Sequence, residues 1–188
     1  GRPWVLDPVG AGAVPGRLET ARRLLAHRPA LVKGNASEII ALAGHGAGGR
    51  GVDSTATADQ ALPAALALAL ARDRGAAVAV TGPSDLVTDG ARVVQIHNGH
   101  PWLTRVTGSG CAVGGLCAAC LAVTGDRLAA AATALAAFGL AAERAVTRGA
   151  AGPGTLVPHL LDALHALTPA DLAAGARSQF VAAAAVHF

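Results

Sequence analysis

The chain is predicted to be an α/β protein with a mostly parallel central sheet and helices on both faces. Two observations carry this: short apolar runs of strand length alternate with longer segments of helical spacing, and most of those runs close on a Gly, Pro or Asn turn signal. The length of 188 residues suffices for one compact domain with a real core, so residues 1–188 are expected to form a single domain, with 178–188 unassigned.

The elements follow in order. Pro3–Asp7 (PWVLD) reads as a buried parallel strand and Pro8–Gly16 as a loop. Leu18–Arg28 has helical spacing, with Leu18, Ala21, Leu24 and Leu25 on one face. Ala30–Val32 is a second strand, Lys33-Gly34-Asn35 a turn, and Ser37–Ala43 a short helix ended by Gly44. His45–Asp53 is glycine-rich and expected to be a mobile surface loop. Ala58–Arg74 is a helix terminated by Gly75. Pro63 implies either a start near Leu62 or an irregular first turn. Ala77–Thr81 (AVAVT) is a third buried strand, and Asp89-Gly90 signals a two-residue hairpin between Asp85–Thr88 and Arg92–His97. Helices are expected over Cys111–Val123, Asp126–Thr147, Gly154–Leu167 and Pro169–Arg177, the last with Thr168 as N-cap and Pro169 at the first helical position. Val181–Phe188 receives no assignment.

Composition narrows the partners. The net charge of +3 is mild. Its arginines are scattered apart from Arg22–Arg23, which leaves no stripe for a nucleic-acid backbone. Nucleic acid and membrane are therefore not expected partners. The apolar runs Cys111–Val123 and Leu128–Ala142 read as two core helices, neither long enough to span a bilayer. Cys111, Cys117 and Cys120 are clustered, which is no disulfide framework and suits a reducing cytoplasm. Cys117-x-x-Cys120 lacks a second pair or a His cluster for zinc and reads as two small buried hydrophobes. The chain has no methionine and opens as Gly1-Arg2-Pro3 directly before a strand, so its natural N-terminus is expected to lie upstream.

Four constellations carry candidate chemistry, and three lie just after buried strands, where open α/β sheets bind ligands. Thr107-Gly108-Ser109-Gly110-Cys111 leads into an apolar helix. Converging backbone amides and a helix N-terminus would make an anion hole there, although the same loop would serve as a tight turn into a close-packed helix. Cys111, in the first turn of that helix, could act as a base toward a substrate hydroxyl, position it, or be an inert buried thiol. Asp7, at a strand end, could hold water on a magnesium ion or cap a loop. Lys33-Gly34-Asn35-Ala36-Ser37-Glu38 offers a cation for phosphate and a carboxylate for metal, while Glu38 also suits a first helical turn. Thr81 puts a hydroxyl at the end of the third strand, where β propensity alone would also place it.

The order of these segments is more specific than any one of them. Leu6-Asp7-Pro8-Val9-Gly10, Lys33-Gly34-Asn35-Ala36-Ser37-Glu38, Gly51-Val52-Asp53-Ser54, Val80-Thr81-Gly82, Asp89-Gly90, Asn98-Gly99-His100-Pro101 and Val106-Thr107-Gly108-Ser109-Gly110-Cys111, followed by Gly152-Pro153-Gly154, resemble the hydroxyethylthiazole kinase family. The resemblance runs from Trp4 to about Leu172, and Cys111 stands where other ribokinase-like kinases usually have Asp. It implies a ribokinase-like fold and ATP- and Mg²⁺-dependent phosphorylation of the hydroxyl of 4-methyl-5-(2-hydroxyethyl)thiazole in thiamine salvage, by a homotrimer with shared active sites. It also implies the roles. Gly108 matches a substrate-contacting glycine, Cys111 the active-site cysteine, and Thr81 an ATP-binding threonine. Gly110 belongs to the loop that holds the transferred phosphoryl group. Asp7 and Glu38 match acids near the triphosphate and metal. Lys33 stands at an ATP-binding position that is usually Arg, and its ammonium lacks the bidentate fork of a guanidinium, so weaker nucleotide positioning is expected. Family members carry an N-terminal stretch before the Leu-Asp-Pro-Val-Gly strand that completes the thiazole pocket. The alternatives are another ribokinase-like small-molecule kinase, a nucleotide-dependent dehydratase, or a nucleotide-binding module without turnover.

Overall fold

The computed structural model describes residues 2–44, 49–50, 53–54, 56–70 and 76–181. The chain enters at β1 (Val5–Leu6), continues through α1 (Pro15–Leu25), β2 (Leu31–Asn35) and α2 (Ala36–Ala43), and forms a small hairpin of β3 (Gly49–Arg50) and β4 (Asp53–Ser54). The rest of the segment expected to be a mobile loop lies outside the described residues, as does the expected stop of the next helix at Gly75. Helix α3 (Ala58–Leu70) leads to β5 (Ala77–Thr81), β6 (Asp85–Thr88) and β7 (Val93–Ile96). A 3-10 turn at Pro101–Arg105 precedes α4 (Ser109–Leu121), α5 (Arg127–Thr147), α6 (Pro153–His165), α7 (Pro169–Gly175) and β8 (Ser178–Val181). Helix α3 starts at Ala58 and carries Pro63 within it, so the proline does not delay the helix.

The main sheet has six strands in the order β1-β2-β5-β6-β7-β8. The expected α/β class holds, but the sheet is mixed and not mostly parallel. Only β1–β2 and β2–β5 are parallel, each pair joined through a helical crossover that returns the chain to the same end of the sheet. Gly82–Ser84 is too short for a crossover, so β6 returns antiparallel to β5, and β7 and β8 continue that sense. The β6–β7 connection spans Asp89–Arg92, four residues where two were expected. Asp89 closes it by accepting from the Ala91 and Arg92 amides, and Gly90 takes φ +92.

A second correction concerns Lys33-Gly34-Asn35, read from the sequence as a turn. These residues are the last three of β2, paired with Ala79, Val80 and Thr81 of β5. Asn35 then caps α2 in a reciprocal capping box with Glu38. Thr168 and Asp171 make the same arrangement at α7, as the expected N-cap requires.

Alternation along the strands divides the core. Leu31, Ala77, Ala79, Val87 and Ile96 pack on one face against Cys117, Leu128, Leu135 and Leu156 from α4, α5 and α6. Val32, Val78, Val80 and Leu86 pack on the other against Leu25, Ile39 and Leu66 from α1, α2 and α3. Leu31, Ile39, Leu135 and Leu156 are fully buried, and each such side chain contributes about 1.5–3 kcal/mol. Helix α5 is one continuous helix of 21 residues, long and apolar enough by length and composition to cross a membrane, because it extends beyond the shorter apolar run Leu128–Ala142 expected from the sequence. Most of it is buried against α4, α6 and the sheet, as in the core helix of a folded domain.

Candidate functional site

The period of two along a strand decides which polar side chains meet. Lys33 follows Leu31 onto the face covered by α4 and α5, Thr81 follows Ala77 and Ala79, and Asp85 enters β6 opposite Ile96. Asp7 continues the face of Val5, just past the end of β1. These residues therefore converge at the C-terminal ends of the parallel strands, beneath the N-terminus of α4.

Lys33 lies at the centre. It is 4% exposed, and its Nζ donates to Asp7 Oδ2 at 3.0 Å. A Cβ built on Gly110 would lie 3.3 Å from Nζ, and one on Gly114 would lie 3.7 Å from the Lys33 Cδ and 3.5 Å from Asp7 Oδ2. Glycines one turn apart on α4 thus form a channel in which the lysine stem lies, and its ammonium sits directly under the glycine loop. Gly108 is the N-cap of α4, with φ +91 and open space around it. It supplies no side-chain cap; Ser109 N donates to Val106 O at 3.3 Å, and a helix N-terminus without a side-chain cap is the kind of place that favours an anion. Ser109 anchors the loop by donating through Oγ to Leu103 O at 2.9 Å.

Glu38 is 4% exposed, and both carboxylate oxygens are held by backbone: Oε1 accepts from Gly10 N and Oε2 from Asn35 N, each at 2.8 Å. Burial pushes its carboxyl up against the opposing pull of those amides. Glu38 thereby ties the loop after β1 to the end of β2. Thr81 donates through Oγ1 to Gly34 O at 3.4 Å, a weak bond that leaves its hydroxyl available. Cys111 is exposed and lines, with Trp4, Val5, Asp7, Val9 and Gly114, a cleft of about 420 Å³ beside β1. Cys117 is fully buried in the core, and burial pushes its thiol up to about 12. Asp7, Glu38, Lys33, Gly110 and Cys111 lie in one region of the structure. Gly108 stands at the loop tip and Thr81 at the end of β5, contacting the group through Gly34.

Asp85 is the residue that sequence reasoning missed. Its Oδ1 accepts from Gly82 N at 2.9 Å. Burial pushes its carboxyl up to about 7, opposed by the Gly82 amide and the Lys33 charge. The signal was an acid four residues after Thr81, but nothing local distinguishes it from a hairpin acid. The raised value means that the folded state prefers the protonated form. Its contribution is fully present below about pH 4 and is lost as pH rises toward 7. Asp85→Asn should match the wild type in stability near pH 4 and become progressively more stable than it up to about pH 7, then hold that difference. Denaturant melts across this range check it, and a pH-independent difference would overturn it.

A glycine loop at a helix N-terminus, set over a buried cation at the C-terminal edge of a sheet covered on both faces, places the chain in the ribokinase-like class. Comparison with known proteins agrees and narrows it. The family model for the hydroxyethylthiazole kinase family matches residues 1–170, and the chain belongs to that family. A hydroxyethylthiazole kinase of Granulibacter bethesdensis is 56% identical over 177 residues, covering 94% of this chain and 64% of that protein. The solved hydroxyethylthiazole kinase of Pyrococcus horikoshii superposes with a TM-score of 0.83 at 38% identity, over 96% of this chain and 66% of the other. The pyridoxal kinase of Staphylococcus aureus superposes with a TM-score of 0.54 at 25% identity, over 76% of this chain and 51% of the other. The chain thus spans just under two thirds of the length of its hydroxyethylthiazole kinase relatives.

Proposed function

We propose that the protein transfers the γ-phosphoryl group of ATP to the hydroxyl of 4-methyl-5-(2-hydroxyethyl)thiazole, the salvage step toward thiamine. The observation that carries this reading is the buried Lys33 ammonium beneath the Gly108–Gly110 loop, in a chain of this family. Phosphoryl transfer needs little covalent chemistry from the protein and depends on positioning and charge stabilisation. The amides at the start of α4 would hold the γ-phosphoryl oxygens, with Lys33 adding positive charge from below. Thr81 would contact the nucleotide at the end of β5. Cys111, on the first turn of α4 and in the cleft beside Asp7, would orient the acceptor hydroxyl. The hydroxyl oxygen bonds to phosphorus, the bond to the bridging oxygen of ADP breaks, and the hydroxyl proton passes to solvent.

The residues fit a magnesium ion in one respect: Asp7 Oδ1 is buried without a hydrogen-bond partner. Among the described residues no group of three His, Cys, Asp or Glu side chains could cage a metal, which suits Mg²⁺, an ion that keeps waters and takes one or two carboxylates together with substrate phosphates. Asp7 would hold it, with Glu38 through water, and when bound it would neutralise charge on the phosphates. Residues 1–188 would act as one domain. Assembly as a homotrimer and a cytoplasmic location are parts of the same proposal, supported by the family and by the unpaired cysteines.

Cys111→Ser should slow turnover roughly tenfold while leaving ATP affinity within about twofold, because an orienting contact is weakened and the anion loop is intact. Steady-state rates and nucleotide titration check this, and full retention of activity would remove Cys111 from the reaction. The assignment itself is tested by ADP formation with the hydroxyethylthiazole as acceptor, on this chain and on the full-length protein. Thiazole-dependent turnover in the longer chain is the expected result. No thiazole dependence in either would overturn the substrate assignment, and ATP binding without turnover in both would favour a nucleotide-binding module.

A further inference from the structure

We propose that Asp85 is a positioning residue of the nucleotide site, holding the Gly82 amide so that the turn after β5 presents Thr81 toward the bound nucleotide. This rests on the reading of the site as an ATP site. Thr81 is the last residue of β5, and the chain leaves it through Gly82-Pro83-Ser84 before β6 begins at Asp85. The ladder with β6 is paired from Val78 to Val80, so the strand-end residue Thr81 lies just beyond it. Two side-chain contacts hold the turn. Asp85 Oδ1 accepts from Gly82 N at 2.9 Å, and Ser84 Oγ is 3.1 Å from His97 Nδ1. The first acts on the residue adjacent to Thr81, and the second on the far side of the turn. Pro83 has no amide to offer.

The surroundings of Asp85 exceed what a hairpin acid needs. It shares the sheet face of Lys33 and Asp7, and the Lys33 charge reaches it across β5. Asp85 is half-buried, and burial is the main cause that raises its carboxyl, while the Gly82 amide opposes that rise. The Thr81 side chain is held by the 3.4 Å bond to Gly34 O, and its backbone is paired on one side, with Asn35 of β2. Without the Asp85 contact the turn would lose its nearest anchor, and Thr81 would be presented with a wider range of orientations. The residue acts through Thr81 and Gly82, with no requirement that it touch the nucleotide.

The test compares Asp85→Asn, which keeps an oxygen acceptor for Gly82, with Asp85→Ala, which does not, both in the full-length protein. Loss of one such bond corresponds to about a tenfold change in an equilibrium constant. Asp85→Ala should therefore raise the KM for ATP about tenfold, with the KM for the thiazole alcohol within about twofold, while Asp85→Asn stays within about threefold of wild type for both. Equal effects of Asn and Ala, a parallel rise in both KM values, or an unchanged ATP KM in Asp85→Ala would each overturn the proposal. If Asp85→Ala does not fold, Asp85→Leu supplies a side chain of similar volume without an acceptor and carries the same comparison. Direct titration with ATP separates this test from that of the reaction. If no thiazole-dependent turnover exists, the wild type and Asp85→Asn should still bind ATP about tenfold more tightly than Asp85→Ala, and equal affinities would overturn the proposal.

Discussion

Lys33→Met should lower the stability of the fold by about 3 kcal/mol and abolish productive nucleotide binding. The ammonium is 4% exposed, and its one carboxylate partner, Asp7, is 20% exposed with its other oxygen buried and unpartnered. Removing one member of such a pair leaves an uncompensated charge, which costs about 3–5 kcal/mol, and the partial exposure of Asp7 places this case at the lower end. Methionine keeps the stem length, so the channel along Gly110 and Gly114 stays filled and the loss is electrostatic. The double variant Lys33→Met, Asp7→Leu should recover most of that stability, because two apolar groups replace the pair, yet it should still fail to bind ATP. Urea melts and nucleotide titration of the four proteins in this cycle check both halves. A single variant as stable as wild type would mean that Asp7 finds another partner or is neutral.

Gly139→Val should be comparably damaging to stability at a position remote from the site, costing about 3 kcal/mol and lowering Tm by roughly 6–12 °C. A Cβ at Gly139 would lie 2.6 Å from both the carbonyl carbon and oxygen of Asn98, and these backbone atoms cannot swing aside. Asn98 is fixed in turn. Its Nδ2 donates to Gly175 O at 3.0 Å and its Oδ1 accepts from Arg177 N at 2.7 Å, while Gly99 N donates to Glu143 on α5 at 2.7 Å. Pushing α5 away from this loop breaks the bonds that tie α7 and β8 to the sheet. Gly139→Ala makes the sharper test. Alanine gains about 1 kcal/mol of helix propensity over glycine, so a net loss in this variant means that the contact outweighs propensity. A more stable Gly139→Ala protein would show that α5 and the loop separate cheaply.

The motifs made the positions of the candidate residues partly legible. A glycine loop before an apolar helix, an acid after an apolar strand and a capping segment after another are local patterns, and each reports where backbone amides or charges are free. Asp85 and the burial of Lys33 were not legible. A strand residue's surroundings are set by which strands lie beside it, and no local pattern encodes that the face of Lys33 is roofed by two glycines of a helix more than seventy residues later. The sheet divides in the same way.

The sequence alone determined the alternation of strands and helices, the hairpin at Asp89-Gly90 and the cap at Thr168, because these depend on side-chain period, turn residues and capping oxygens within a few positions. Tertiary structure decided the mixed sense of the sheet, the pairing of Ser178–Val181 as its last strand, and the close approach at Gly139. Those features arise from strand order and helix packing, whose free energy resides in contacts between residues far apart in the chain.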